Sequence, residues 1–204
     1  MEKKTAPENV LAVLPWSVAK DWHPHSNGGG WVYKTATIEE SAYLHPTSVV
    51  YGNARVYGHA RVFGDAQVYG DAQVYDDAQV YGNARVSGNA WVFGDAQVYG
   101  YAQVYGHARV YGDAQVYGHA RVFGNAWEQS PLYIQGSRHP LTLCSFTQIA
   151  VGCHVHNISE WLKRYRVIGR AEGYTKEQIA EYGEYLKLMS VTAKSLCAKS
   201  NKKG

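Results

Sequence analysis

A six-residue repeat dominates this chain and restricts its fold more than any other feature. From Val50 to Trp127 it runs through thirteen units without a break, beginning Val-Tyr-Gly-Asn-Ala-Arg and Val-Tyr-Gly-His-Ala-Arg. Three looser units, with Val32, Ile38 and Leu44 at the first position, extend it back to residue 32. A period of six is too short for a helical hairpin and does not match a heptad. It fits a coil in which each unit supplies one short strand and one turn.

Each position of the unit has a place in such a coil. The aliphatic residue at the first position points inward, and the small Ala at the fifth fits a tight corner. Gly at the third position, followed by Asn, Asp or His, suits a corner that needs positive φ, which these residues tolerate best. The pattern therefore predicts an all-β parallel β-helix over residues 32–127, with three hexads per coil and about five coils.

The Val-x-Gly-[Asn/Asp]-Ala-[Arg/Gln] units resemble the hexapeptide-repeat superfamily, whose members fold as left-handed parallel β-helices. The resemblance implies a left-handed coil here. It implies little about function, because the same fold serves acyltransferases, assembly modules and proteins of other roles.

Two shorter stretches resemble parts of phage proteins. Gly29-Gly30-Trp31-Val32 is similar to the lead-in of bacterial and phage hexapeptide-repeat proteins. The segment from Pro131 to Trp161, with Val151-Gly152-Cys153-His154-Val155-His156, resembles a domain found behind hexapeptide repeats in phage and prophage proteins. This resemblance implies a phage or prophage origin without naming an activity.

The segments on either side of the repeat are expected to cover its ends, because an open β-helix end exposes unpaired strand edges. Residues 1–31 are predicted to be an N-terminal cap, and residues 128–204 a small α+β appendage with two C-terminal helices and a basic tail. Apolar material for the cap comes from Leu11, Val13, Leu14, Trp16 and Trp22. In the appendage the pattern predicts strands at 132–134, 141–146 and 149–153 and a helix at 158–171, and a capping box of Thr175 and Gln178 opens a second helix.

Residues eighteen apart should lie one above another on adjacent coils, so the second position forms aromatic ladders on all three faces. The sixth position forms a column that contains Trp91, Arg109 and Trp127. We expect Arg109 to lie between the two indoles, with Tyr105 and Phe123 beside it, and Ser87 to leave a shallow pocket next to Trp91. The candidate binding residues are therefore Ser87, Trp91, Tyr105, Arg109, Phe123 and Trp127. The alternative is that these side chains only pack.

Candidate chemistry is sparse. Cys153 and His156 are weak candidates for metal ligands, because C-x-x-H supplies only two ligands, so no metal and no cofactor are expected. The resemblance also implies an alternative function, that of an acyl-CoA-dependent transferase in which a histidine deprotonates the acceptor. The histidines of the regular repeats, His59, His107 and His119, fall on different faces at the position of Asn and Asp in other units. That distribution is typical of turn residues.

Composition restricts the expected cellular compartment and the expected partners. No apolar run approaches a membrane span, and 46% hydrophobic with 18% charged residues is typical of a globular chain. Three cysteines without a preceding N-terminal signal indicate a reducing cytoplasm, that of the host cell if the chain is phage-encoded. Residues 128–204 carry eleven basic and six acidic side chains without an aromatic-interleaved patch, so a nucleic-acid partner is not expected.

Two functional hypotheses remain. The first is a non-catalytic interaction or assembly protein of phage or prophage type. It would form a homo-oligomer, with a trimer favoured, and bind a protein partner such as a host factor or defence component through its β-helix faces or its appendage. The alternative is an acyl-CoA-dependent hexapeptide acyltransferase.

Overall fold

The computed structural model describes residues 6–124 and 126–200. It contains a β-solenoid of about five turns and a C-terminal part with two main helices. The chain divides into two compact units, Met1–His119 with Ala126–Ser130 and Ala120–Asn125 with Pro131–Gly204. The predicted three-part division of the chain stays a prediction.

The first unit is built mostly from strands of two or three residues, each beginning near the sixth position of one hexad. A helix α1, Glu8–Leu11, and a 3-10 turn, Ala19–Asp21, precede them. The strands to residue 127 are β1 Trp22–Pro24, β2 Trp31–Tyr33, β3 Thr37–Ile38, β4 Tyr43–Leu44, β5 Val49–Val50, β6 Arg55–Val56, β7 Arg61–Val62, β8 Gln67–Val68, β9 Gln73–Val74, β10 Gln79–Val80, β11 Arg85–Val86, β12 Trp91–Val92, β13 Gln97–Val98, β14 Gln103–Tyr105, β15 Arg109–Val110, β16 Gln115–Val116, β17 Arg121–Phe123 and β18 Ala126–Trp127. Of these, β17 belongs to the second unit.

Strands of the first unit form three sheets. In the first sheet the order is β1-β2-β5-β8-β11-β14, in the second β3-β6-β9-β12-β15-β18, and in the third β4-β7-β10-β13-β16. Solenoid strands β2 to β16 pair in parallel with a register of eighteen residues, as in the column Tyr43, Arg61, Gln79 and Gln97. The predicted alignment of residues eighteen apart is confirmed for these strands.

The core of the solenoid is made of the first and fifth positions of the hexads. Val98 and Ala96 are fully buried, as are their equivalents in neighbouring units. Removing each valine side chain from water stabilises the coil by about 1.5–3 kcal/mol. The third position forms the corner of the coil with a backbone of positive φ. Gly82 has φ +70°, and a Cβ there would lie 3.1 Å from the backbone nitrogen of Gly100. Successive coils are therefore too close at this corner for most side chains.

The N-terminal segment packs on the first sheet. Strand β1 pairs antiparallel with β2, so the backbone of the first strand of the coil has a partner on this side. Trp22, 5% exposed, lies edge-on to Tyr33 at 5.2 Å and is clustered with Val10 and Leu14. Trp16 is 77% exposed, so its predicted part in the cap is wrong. It lies in a turn, where the chain reverses before the apolar cluster continues.

The second unit contains an antiparallel sheet and two helices. Its sheet order is β19-β20-β21-β22, with bounds Tyr133–Gln135, Pro140–Ser145, Gln148–Val151 and His154–Asn157. Helix α2 spans Ile158–Ala171, as predicted, and the predicted second helix, α3, spans Lys176–Ser200, so Lys194 of the predicted basic tail lies in a helix. The capping box is confirmed, because Thr175 N donates to Gln178 Oε1 at 3.0 Å and Gln178 N to Thr175 Oγ1 at 3.2 Å. Among the described helices, none is long and apolar enough to cross a membrane.

Candidate binding face on the solenoid

Stacked aromatic rings run along the solenoid, as the repeat predicts. On the second sheet, Tyr57 stacks on Tyr75 and Tyr75 on Phe93 with centroids 4.8 Å apart and planes within 1°, and Phe93 stacks on Tyr111 at 5.1 Å. The third sheet carries a second ladder of four rings, namely Phe63, Tyr81, Tyr99 and Tyr117. The spacing equals the distance between paired strands, so the sheet itself imposes the stacking.

The ladder of the first sheet is shorter. Tyr51 stacks on Tyr69 at 4.8 Å, and the next residue in the column is Ser87, which cannot continue the stack. The tilted ring of Trp22 lies 6.4 Å from Tyr51. Burial raises the pKa of Tyr51 to about 12, and the neighbouring Tyr69 adds to the effect.

Hydrogen bonds hold some of the tyrosine hydroxyls in the other two ladders. Tyr57 donates to Gln73 Oε1 at 3.1 Å, and Tyr81 donates to Gln97 Oε1 at 3.2 Å. Each bond joins the second position of one coil to the sixth position of the next. Because the polar end of the ring is satisfied, the ring can lie flat against its neighbours. Partial burial raises the pKa of both Tyr57 and Tyr81, which keeps the phenols neutral as donors.

Trp91 and Arg109 form the most distinctive contact of the second sheet. They are paired in register on β12 and β15, and the guanidinium carbon of Arg109 lies 4.6 Å from the Trp91 ring centroid. The indole is half-buried and Arg109 is exposed. A cation over an indole at this distance contributes about 0.5–1 kcal/mol when exposed, and more when solvent is removed. This half of the predicted arrangement is confirmed.

The other half is wrong, because Trp127 points into the solenoid. Strand β18 pairs with β15 so that Arg109 is opposite Ala126 and Val110 is opposite Trp127. Trp127 thus takes an inward position and is 2% exposed. A shift of one residue turns every side chain of a strand to its other face. The burial of an indole favours this register at the last strand of the sheet.

The remaining predicted residues lie elsewhere. Ser87 follows β11 and Tyr105 ends β14, both in the first sheet, whereas Trp91 begins a strand of the second sheet. The predicted pocket of Ser87 beside Trp91 is therefore wrong, since a corner separates them. Phe123 ends β17 in the second unit. Of the six candidates, Trp91 and Arg109 lie together on the second sheet, and Ser87 and Tyr105 lie together on the first.

We call the outward side chains on and just after strands β6, β9, β12 and β15 of the second sheet the Trp91 face. Its members are Arg55, Tyr57, Gln73, Tyr75, Trp91, Phe93, Arg109 and Tyr111. The tyrosines and the tryptophan are half-buried, and both arginines are exposed. Rings held by their neighbours and flanked by guanidinium groups make a flat amphipathic surface. The repeat alone predicts these rings, but it does not group Trp91 with Phe93, because that requires knowing where the corner falls.

Neither weak metal candidate lies in a ligand cluster. Cys153 is exposed in the turn between β21 and β22. His156 lies on β22, where its Nδ1 is 3.4 Å from Glu160 Oε2 and its ring meets Trp161 edge-on at 5.0 Å. Within the described parts of the chain, no three or more His, Cys, Asp and Glu side chains are grouped as a metal site. His156 is therefore packed against Trp161 and lies next to the Glu160 carboxylate.

The repeat histidines lie in turns, as their sequence position predicts. His59 precedes β7 of the third sheet and His107 precedes β15 of the second. His119 stacks on Tyr101 at 5.0 Å, and both residues occupy the turn position of their hexads. Their placement gives an acyl transfer mechanism no support, and the acyltransferase alternative stays untested.

Comparison with known proteins identifies the repeat. The family model described as the YdcK beta solenoid repeat matches residues 54–70, 78–94, 102–115 and 114–129. All four stretches lie in the repeat region and the residues just after it. Together with the parallel strand pairing, the match establishes a β-helix repeat protein. No curated protein and no solved structure matches the chain.

Proposed function

We propose that this protein is a non-catalytic interaction protein that assembles into a homo-oligomer through the Trp91 face, with a trimer favoured. The single observation that carries the proposal is the continuous ladder from Tyr57 to Tyr111 beside the Trp91 and Arg109 pair. Aromatic residues and Arg are the types enriched in protein interfaces, and they dominate binding energy when solvent is excluded.

Preorganisation makes this face suited to association. Tyr75 and Phe93 are each held by the rings above and below, and Tyr57 is held by Tyr75 and by its bond to Gln73. Side chains that are already ordered lose little conformational entropy when a partner covers them. Arg109 is likewise held over Trp91, and covering the pair strengthens their attraction by removing water.

Light scattering of the purified protein tests the proposal. The wild type is expected to have the mass of an oligomer, and Trp91→Ala to lower the mass to that of the monomer. Trp16→Ala is the matched control, since Trp16 is exposed but lies outside the face. A wild-type monomer, or an oligomer that survives Trp91→Ala, contradicts the proposal.

We propose further, from the resemblance to phage and prophage proteins, that the assembled protein acts in the host cytoplasm on a host protein, such as a component of a defence system. Co-purification of tagged wild type from the host, compared with Tyr75→Ala and Trp16→Ala, tests this. A host protein retained by wild type and Trp16→Ala but lost from Tyr75→Ala supports it. Equal retention by all three contradicts a role of the face.

We also propose that the solenoid is left-handed with three hexads per coil. The eighteen-residue register supports the number, and the resemblance to hexapeptide-repeat proteins supports the hand. Arg61→Cys with Gln79→Cys should form a disulfide, because paired strands bring Cα atoms within the distance that a disulfide spans. Arg61→Cys with Gln73→Cys is the control and should stay reduced. The opposite result contradicts three hexads, and an experimental structure determines the hand.

A further inference from the structure

The second unit contains a cavity of about 190 Å³ between its sheet and its helices. Its walls are mostly apolar and aromatic, and include Val151, Trp161, Tyr165, Ile168, Ile179 and Leu186. None of these residues belongs to the Trp91 face, so the cavity is independent of the proposed assembly.

Two aromatic lining residues, Trp161 and Tyr182, have their polar atoms paired within the protein. Trp161 Nε1 donates to the carbonyl of Ile149 at 2.8 Å. The Tyr182 hydroxyl donates to the carbonyl of His139 at 2.7 Å and accepts from the Arg138 N–H at 3.1 Å. Burial raises the pKa of Tyr174, another lining residue, to about 12, so its phenol is neutral at pH 7. The interior is therefore suited to an apolar group.

Helix packing keeps the walls of the cavity apart. A Cβ at Gly169 would lie 2.9 Å from Ile179 Cγ1, and one at Gly183 would lie 2.7 Å from a ring carbon of Tyr165. At these glycines the backbone of each helix is thus in close contact with a side chain of the other. Because they already touch there, the helices cannot approach further to fill the space beside Trp161 and Leu186.

The lining also includes polar residues that are partly or well exposed, namely His139, Cys153, His154 and Glu172. His154 Nε2 lies 3.1 Å from Glu172 Oε1, with side-chain exposures of 38% and 49%. Cys153 is exposed beside them in the turn that starts at Gly152. A ligand in the cavity would therefore meet apolar walls inside and a carboxylate and an imidazole toward solvent.

We propose that this cavity binds a small single-ring aromatic molecule that carries one hydroxyl or amino group, with the ring inside and the donor toward Glu172. An apolar cavity of about 150 Å³ accommodates benzene, so this one has room for a ring and a short substituent. The Glu172 carboxylate accepts hydrogen bonds, which selects a ligand with a donor. A hydrogen bond to a charged group favours that ligand by about tenfold.

Protection of Cys153 from alkylation tests the proposal directly. The probes are 4-methylphenol, 4-methylaniline and toluene, and the extent of iodoacetamide modification is measured at each cysteine by mass spectrometry. Bound 4-methylphenol or 4-methylaniline is expected to slow modification of Cys153, and toluene to do so at about tenfold higher concentration. Cys197, outside the cavity, is the internal control and should be unaffected. Burial raises the pKa of Cys144 to about 11, which keeps it unreactive.

Two substitutions on α2 distinguish the effect of filling the cavity from the effect of adding a ring elsewhere on the helix. Ile168→Phe places a ring in the cavity and should abolish protection of Cys153. Leu162→Phe adds the same ring on the same helix but lies outside the cavity, so protection should persist. Circular dichroism checks that both variants fold. If Ile168→Phe does not fold, Glu172→Ala is used, and it should remove the advantage of the two donor probes over toluene.

The same measurement distinguishes a ligand with a hydroxyl group from one with an amino group, because 4-methylphenol carries only the first and 4-methylaniline only the second. Protection by neither donor probe at millimolar concentration overturns the proposal. Equal protection in wild type and folded Ile168→Phe also overturns it. Both outcomes leave the mass of the oligomer, and thus the proposed assembly, untouched.

Discussion

Two tryptophans in the same hexad position have opposite environments. Trp91 and Trp127 both follow an alanine at the end of a hexad, yet Trp91 lies on the outer face and Trp127 in the core. Trp127→Ala should lower the free energy of unfolding by about 3–5 kcal/mol, as for other buried tryptophans. Trp91→Ala should cost about 1 kcal/mol or less, the value of an exposed cation–π contact. Urea denaturation measures both, and equal losses would show that the register of β18 is wrong.

Asp76 replaces the corner glycine of its hexad and has φ +58°. Its carboxylate accepts from the N–H of Gly94 at 3.3 Å, which offsets part of the cost of this conformation. Asp76→Ala should therefore lower stability by about 1–3 kcal/mol, since strain remains and the bond is lost. Asp76→Gly is the control and should be close to neutral. Thermal unfolding distinguishes them, and equal melting temperatures would exclude strain at this corner.

Because the pKa of Tyr51 is raised, the free energy of unfolding depends on pH in the alkaline range. In the unfolded chain a tyrosine titrates near 10, whereas Tyr51 titrates at about 12 when folded. Its contribution is complete below pH about 10 and is lost as pH rises from about 10 to 12, because only the unfolded state then releases the proton. Tyr51→Phe should flatten this loss in urea titrations, while Tyr101→Phe, at an exposed ring, should not. Identical pH profiles for wild type and Tyr51→Phe would refute the assignment.

At the scale of elements, the ladders bind neighbouring coils together. Phe93 stacks between Tyr75 and Tyr111, so Phe93→Ser removes two contacts and reproduces the gap at Ser87. The free energy of unfolding should fall by about 1–3 kcal/mol, at about 0.5–1.5 kcal/mol for each stacked pair. Phe93→Tyr keeps the ladder and serves as the control. A double-mutant cycle with Tyr75→Ser should give a coupling of about 0.5–1.5 kcal/mol, and a coupling near zero would mean that stacking does not stabilise the sheet.

At the scale of the whole molecule, the repeat should tolerate removal of one full register period. Deleting residues 62–79 joins Arg61 to Val80 and preserves both the hexad pattern and the eighteen-residue pairing. This variant should unfold cooperatively at a lower temperature, because one set of neighbour contacts is lost. Deleting residues 62–70 joins Arg61 to Asp71 and breaks the pattern, so it should fail to fold. Circular dichroism melts compare them, and similar melts would contradict a fold based on this register.

The repeat predicts most of the first unit because its information is local. Successive side chains of an extended chain point to opposite sides of the sheet. Because Val98, at the first position of its hexad, faces inward, Tyr99 at the second position must face outward. Every regular hexad except that of Asp76 also supplies its own corner glycine, which makes one coil resemble the next. The helices of the second unit are predictable for a similar reason, since Thr175 and Gln178 specify a helix start within four residues.

Features that interrupt a local pattern are decided by the tertiary structure. Strand β22 was not predicted, because His154 and His156 are not typical strand residues. This segment is a strand because it pairs with β21. The cavity beside Trp161 is likewise absent from any sequence pattern, since its walls come from separate helices and a sheet. The sequence by itself determined the repeat, its inward and outward positions and its turns. Tertiary structure decided where the repeat ends, because the burial of Trp127 depends on a register set by its neighbouring strand and not by its hexad.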